Sequence, residues 1–126
     1  MPLVRIDLLE GKSPEYMTRL GEIVYETMVD VVGVPEHDRF QIITAHPRHG
    51  FHADRIYLGI ARTDDCVIVQ ITWSIGRTLE TKKEFYKELC ERMHKEVQLR
   101  PEDLFVNIVE VVKENWSFGN GIAQYA

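Results

Sequence analysis

The sequence predicts an α/β domain made of two fused βαβ units, with four strands in one mixed sheet and both helices on one face. Three observations predict it. First, the chain repeats itself. Gly11, Lys12, Ser13 and Glu15 meet Gly76, Arg77, Thr78 and Glu80 at one offset, and Pro35, Glu36, Gln41 and Ile42 meet Pro101, Glu102, Asn107 and Ile108 at an offset one residue larger. The difference implies a one-residue insertion between the two stretches. Second, each copy reads strand, helix, strand. Third, 126 residues with 44% hydrophobic and 28% charged content suit a single domain, and no Ser/Gly tract or charge block divides them.

In the first copy, Val4, Ile6 and Leu8 alternate with Arg5 and Asp7, as in a half-buried strand. Gly11 turns the chain, Ser13 offers an N-cap, Pro14 suits the first helical position, and Glu15 faces the positive end of the helix. Leu20, Ile23, Val24, Thr27, Met28, Val31 and Val32 follow at three- and four-residue steps, which makes an amphipathic helix that Gly33 ends. Residues 40–43 form the returning strand. In the second copy, residues 67–73 read as a strand. A helix carries Phe85, Tyr86, Leu89, Met93 and Val97 on one face, and residues 104–112 return as a strand. Strands joined through a helix lie parallel, with a right-handed crossover. The copies occupy residues 2–44 and 67–112. Between them, residues 45–66 connect, with an extra strand expected at 55–61. A tail, 113–126, ends in a short extended piece at 122–125. Helices cover one sheet face, so the other needs a cover of its own, most simply another subunit.

Charge and cysteine content narrow the function. Fifteen basic against twenty acidic residues leave a net charge of −5 with no basic tract, which argues against nucleic acid as a partner. No stretch reaches the roughly 18 uninterrupted apolar residues of a membrane helix. Arg5 and Asp7 break any signal-peptide core. Cys66 and Cys90 make no CxxC and no metal spacing, and read as reduced thiols of a cytoplasmic protein.

Candidate chemistry begins at Pro2. Loss of Met1 would expose a secondary amine at the start of a rigid strand. A free α-amino group has a pKa of about 7.7–8.0, and apolar burial lowers it. Such a group can move a proton or form an imine with a carbonyl. On residue type alone, Pro2 is equally a tolerated strand start. Asp38 suits a turn as well as an acid–base role, and Arg77 suits a helix-start surface as well as an anion site. Trp116 and Phe118 serve equally as packing or interface aromatics. His46, His49 and His52, with Asp54, are separated by Pro47 and Gly50 and read as a polar loop, so no metal is expected.

Three segments carry a resemblance that spans nearly the whole chain: PLVRIDLLEG at the start, VPEHDRFQI in the middle and NWSFGNGIAQ near the end. Together they resemble the tautomerase superfamily, and within it the malonate semialdehyde decarboxylase family. The resemblance implies a homotrimer of duplicated βαβ units that works without a cofactor on a small carboxylate-bearing oxo or enol acid. It implies a catalytic Pro2, an Asp38 that activates water or holds the proton of Pro2, and a carboxylate-binding Arg77. Trp116 and Phe118 would form a hydrophobic wall that also meets the substrate. The family pattern has two arginines here; Ile75 stands where the first would be. Decarboxylation of a 3-oxo acid, with a related hydration, is the leading expectation. A keto–enol tautomerase using Pro2 as base and a non-catalytic trimeric binding protein are the alternatives. Val67 takes the repeat position of Pro2, so one active site per chain is expected, with Lys12 in the unused one.

Overall fold

The computed structural model describes residues 2–126. Met1, and with it the question of whether the Pro2 nitrogen is free, lies outside the described residues. The chain runs β1 (Leu3–Leu9), α1 (Pro14–Thr27), β2 (Phe40–His46), β3 (Val67–Ser74), α2 (Leu79–Val97), β4 (Leu104–Val111). The four strands form one sheet in the order β2-β1-β3-β4. β1 pairs parallel with β2, β3 pairs parallel with β4, and β1 and β3 meet antiparallel at the centre. This is the expected α/β architecture.

Local chemistry explains the elements. The Ser13 hydroxyl accepts from the Tyr16 amide at 3.1 Å, and Thr78 does the same for Thr81 at 3.2 Å. The end of α1 widens into a π-turn over Met28–Val32, and Gly33 closes it in the left-handed region at φ 78°. Inward residues of the two central strands, Val4, Ile6, Val69, Ile71 and Trp73, are fully buried against Leu20, Ile23 and Val24 of α1 and Phe85, Leu89 and Met93 of α2. Both helices therefore share one face.

The register shows how the halves correspond. Leu3 pairs with Phe40 and Ile68 with Phe105. The N-caps Ser13 and Thr78, the left-handed helix stops Gly33 and Gln98, and the 3-10 turns Arg48–Gly50 and Lys113–Asn115 all keep the same spacing of 65 residues. The insertion expected from Pro35/Pro101 and Gln41/Asn107 is absent. Those pairs match in composition, whereas strand register superposes Asp38 on Asp103 and Phe40 on Phe105.

Two further expectations are corrected. Residues 55–61 form no strand. The Asp54 carboxylate accepts the amides of Ile56 and Tyr57, both at 2.9 Å, and Leu58 takes φ 59° inside a 3-10 turn, Tyr57–Gly59. Arg62 Nη1 then ties the carbonyls of Asp54, Tyr57 and Ile60 together, at 3.1–3.4 Å. The backbone groups a strand needs are thereby already in use. Residues 122–125 form no strand: 124–125 make a turn, and Gly119, Asn120 and Gly121, all with positive φ, turn the chain just before them.

The sheet face away from the helices carries Phe40, Ile42, Phe105 and Val109, which are 52%, 45%, 44% and 38% exposed. Among the described residues, no helix is long and apolar enough to cross a membrane.

Candidate active site

The strand directions bring four segments to one end of the sheet. The start of β1, the approach to β2, the end of β3 and the chain leaving β4 all meet there. Pro2 precedes the first ladder residue, where its missing N–H costs no sheet hydrogen bond, and it is buried. It contributes to a pocket of about 210 Å³ together with Leu3, Phe40, Trp116, Ser117 and Phe118.

The tail builds the wall of this pocket. The Trp116 and Phe118 rings stack at 5.4 Å, and Tyr125 meets Phe118 edge-on at 4.8 Å. The Trp116 indole N–H donates to Ser74 Oγ at 3.0 Å, which fixes the wall to the end of β3. The Gln124 side chain accepts from the Phe118 amide and donates to the Gly119 carbonyl, both at 2.9 Å, and closes the loop.

Asp38 lies on the approach to β2 and is 8% exposed. Burial pushes its carboxyl above the usual range, and the positive charge of Arg77 is among the influences that oppose the shift. The Arg77 guanidinium lies over the Trp73 ring at 4.7 Å, and its Nη1 donates to the Ser74 carbonyl at 3.1 Å. Its Nε is buried and has no hydrogen-bond partner among the described residues. Burial lowers the Arg77 pKa, while the charges of Glu110 and Asp38 act the other way. Glu110 is itself held by Lys82 at 2.7 Å and by the Trp73 indole N–H at 3.2 Å.

The five residues singled out from sequence thus fall at one end of the molecule, but in two groups. Pro2, Trp116 and Phe118 line the pocket. Asp38 and Arg77 interact electrostatically with each other and do not line it. Sequence reasoning missed Phe40, Ser74, Tyr125 and the Trp73 shelf beneath Arg77. Strand alternation places Trp73 in the core and gives no hint that its face carries a cation. Nothing local marked Tyr125, whose contact depends on the folded-back tail.

The opposite end shows what the repeat has lost. Val67 replaces Pro2. Asp103, the mate of Asp38, is fully buried and accepts from Thr63 N at 2.7 Å and Thr63 Oγ1 at 2.6 Å. Lys12, the mate of Arg77, is paired with Asp65 at 2.8 Å. His46 bonds Asp7 at 2.5 Å, apart from His49 and His52, and no metal-capable cluster of three or more side chains occurs among the described residues.

A duplicated βαβ sheet with a proline opening its first strand and an aromatic pocket around it defines an enzyme of the tautomerase type. The comparisons agree. Two family models, each described as tautomerase enzyme, match residues 38–119 and 2–54. The probable tautomerase YusQ of Bacillus subtilis is 37% identical, over 98% of both chains. A crystal structure of FG41 malonate semialdehyde decarboxylase inhibited by 3-bromopropiolate has a TM-score of 0.90 at 36% identity, covering 98% of this chain and 93% of that one. A second malonate semialdehyde decarboxylase, whose structure is described as a basis for decarboxylase and hydratase activities, has a TM-score of 0.90 at 30% identity, covering 98% and 95%. The chain belongs to the tautomerase family and is an enzyme of that superfamily.

Proposed function

We propose that the protein is a cofactor-free N-terminal-proline enzyme acting on a small 3-oxo acid, with decarboxylation of the malonate semialdehyde kind as its reaction. The observation that carries this reading is a buried proline at the head of β1 inside a small, mainly aromatic pocket. Removal of Met1 makes that proline an amine. As a cation it donates a proton to the aldehyde oxygen; as a neutral amine it attacks the aldehyde carbon, and the oxygen leaves as water to give an iminium ion. Either state accepts the electron pair released when the carbon–carboxylate bond breaks, and carbon dioxide departs. The resulting enol or enamine then takes a proton at carbon. The apolar wall favours this step, because the carboxylate charge disappears from a poorly solvated site.

Asp38 holds the proton of Pro2 or activates water for a related hydration, and burial, which raises its pKa, makes it a better proton acceptor than an exposed aspartate. Arg77 holds the substrate carboxylate. The Trp73 ring and the Ser74 carbonyl fix its plane, and its Nε edge remains available to an acceptor.

One observation favours a second reading. Arg77 is not among the residues that line the pocket and Ile75 supplies no second cation, so the carboxylate is held less firmly than a two-arginine clamp would hold it. That arrangement suits a tautomerase in which neutral Pro2 shuttles a proton on an enol acid. We also propose a homotrimer, with the part of the sheet face that bears Ile42 and Val109 covered by neighbouring copies. The two free thiols agree with a cytoplasmic setting.

The test is intact mass on untagged protein, followed by assay of that sample with malonate semialdehyde and with phenylenolpyruvate. A mass lacking Met1, with turnover abolished in Pro2→Ala, supports the proline mechanism, and the preferred compound selects the reaction. A mass retaining Met1, with neither compound consumed, overturns it.

A further inference from the structure

The constant spacing between the halves carries the pocket over along with the fold. Leu3 and Phe40 of the Pro2 pocket have Ile68 and Phe105 as repeat mates, and these two lie in a cavity of about 250 Å³ at the other end of the sheet. Its wall is the loop leaving β2, just as the first wall is the tail leaving β4. His52 and Ala53 stand where Ser117 and Phe118 stand in the first pocket.

Three changes separate the two pockets. Val67 supplies no amine. The Asp103 carboxylate is committed to Thr63. Where the Phe118 ring fills the first wall, Ala53 leaves space, and His52, Tyr57 and Arg62 enter the lining. The Asp54 carboxylate also lines the cavity, where its Oδ1 caps the amides of Ile56 and Tyr57 and its charge sits beside the Arg62 guanidinium in the same lining. Among the described residues, the His52 ring and the Tyr57 hydroxyl make no hydrogen bond, and Arg62 engages only its Nη1. Cys66, Ile68 and Phe105 give the cavity an apolar floor below these donors.

We propose that this cavity is a second, non-catalytic binding site for a small carboxylate with an apolar body. The carboxylate accepts from the unused edge of Arg62, from His52 and from the Tyr57 hydroxyl, while the body rests on Ile68 and Phe105. An inorganic anion would leave the floor without contacts. A hydrocarbon would leave these donors without an acceptor. With no amine, and with Asp103 committed to Thr63, the bound acid does not turn over.

Equilibrium dialysis of the assembled protein with radiolabelled phenylacetate, which has no aldehyde or ketone carbon for Pro2 to attack, tests this. Ala53→Phe restores the ring present in the other wall and fills the cavity. The expected result is one fewer phenylacetate bound per chain in Ala53→Phe than in the wild type, with kcat/KM of the Pro2 reaction unchanged. In amide spectra of the wild type, phenylacetate shifts His52, Tyr57, Ile68 and Phe105. Equal stoichiometry in folded Ala53→Phe, or shifts confined to Leu3, Phe40, Trp116 and Phe118, overturns the proposal. If Ala53→Phe does not fold, the wild-type spectra decide alone. Neither readout depends on whether Pro2→Ala abolishes turnover, so failure of one reading leaves the other intact.

Discussion

Substituting the two repeat-mate aspartates separates catalysis from stability. Asp103 is fully buried, and its two oxygens accept from the Thr63 amide at 2.7 Å and the Thr63 hydroxyl at 2.6 Å; Arg100, at 3.5 Å, adds a weaker contact. Asp103→Ala orphans both Thr63 donors. Each unsatisfied buried donor costs about 1–3 kcal/mol, so the loss is about 2–6 kcal/mol. With a urea slope of about 2 kcal/mol/M, the unfolding midpoint falls by about 1–3 M. Asp38 has the opposite character. Burial raises its carboxyl pKa, so the folded state holds its proton more tightly than the unfolded chain does. Stability from this group is therefore present below the ordinary aspartate value and declines as pH rises through the raised one. At pH 7, Asp38→Asn leaves the midpoint unchanged or higher, while kcat/KM falls by about 10²–10⁴-fold, the usual worth of a positioned acid–base group. Circular dichroism in urea at one fixed protein concentration, beside steady-state kinetics, reads both effects. A fully active Asp38→Asn, or an Asp103→Ala whose midpoint does not move, would refute the division of roles.

Three further outcomes are expected. Gly33→Ala places a Cβ in the left-handed region at φ 78° and should lower stability by about 1–2 kcal/mol in the same urea titration, with kinetics unchanged. Trp116→Phe keeps an aromatic ring against Phe118 but loses the bond to Ser74, worth about 0.5–1.5 kcal/mol; kcat/KM should fall less than in Trp116→Ala, and equal losses would show that the ring itself is unimportant. Ile42→Glu puts a charge at an exposed apolar position of edge strand β2, on the sheet face proposed to be covered, and should reduce the mass measured by light scattering to that of a single chain; an unchanged mass would move the subunit interface elsewhere.

The parts of the fold legible in the sequence are those governed by short-range periodicity. Alternation in β1 and the three-and-four spacing in α1 identify their elements because one face of each is buried. Ser13 and Gly33 mark the ends of the helical stretch because backbone donors and left-handed geometry have few other solutions. Register was less legible. Pro35 and Pro101 share residue type at a spacing that hydrogen-bonded pairing does not use. Residues 55–61 have strand-like composition, but Asp54 and Arg62 claim their backbone groups from outside the segment. The site divides in the same way. Pro2, Trp116 and Phe118 were recognisable from resemblance and do share a pocket. The cation–π shelf of Trp73 under Arg77 and the Tyr125–Phe118 contact needed the folded chain, because each joins residues that carry no pattern in common.

The duplication gives a reason for the proposed chemistry to sit at one end only. Both ends inherit the same strands, caps and turns, so both can position an acid and a cation. At the Val67 end those groups are neutralised: Asp103 is held by Thr63, and Lys12 by Asp65. At the Pro2 end burial pushes the Asp38 pKa up and the Arg77 pKa down, and the Arg77 Nε has no partner among the described residues. A buried guanidinium edge of this kind costs stability and persists where a ligand completes it. The satisfied half offsets that cost, since β3 pairs directly with β1 and carries the core that holds Pro2 in place. Weakening the Asp103 contacts should therefore lower stability in the whole sheet while leaving the chemistry of the remaining folded protein intact.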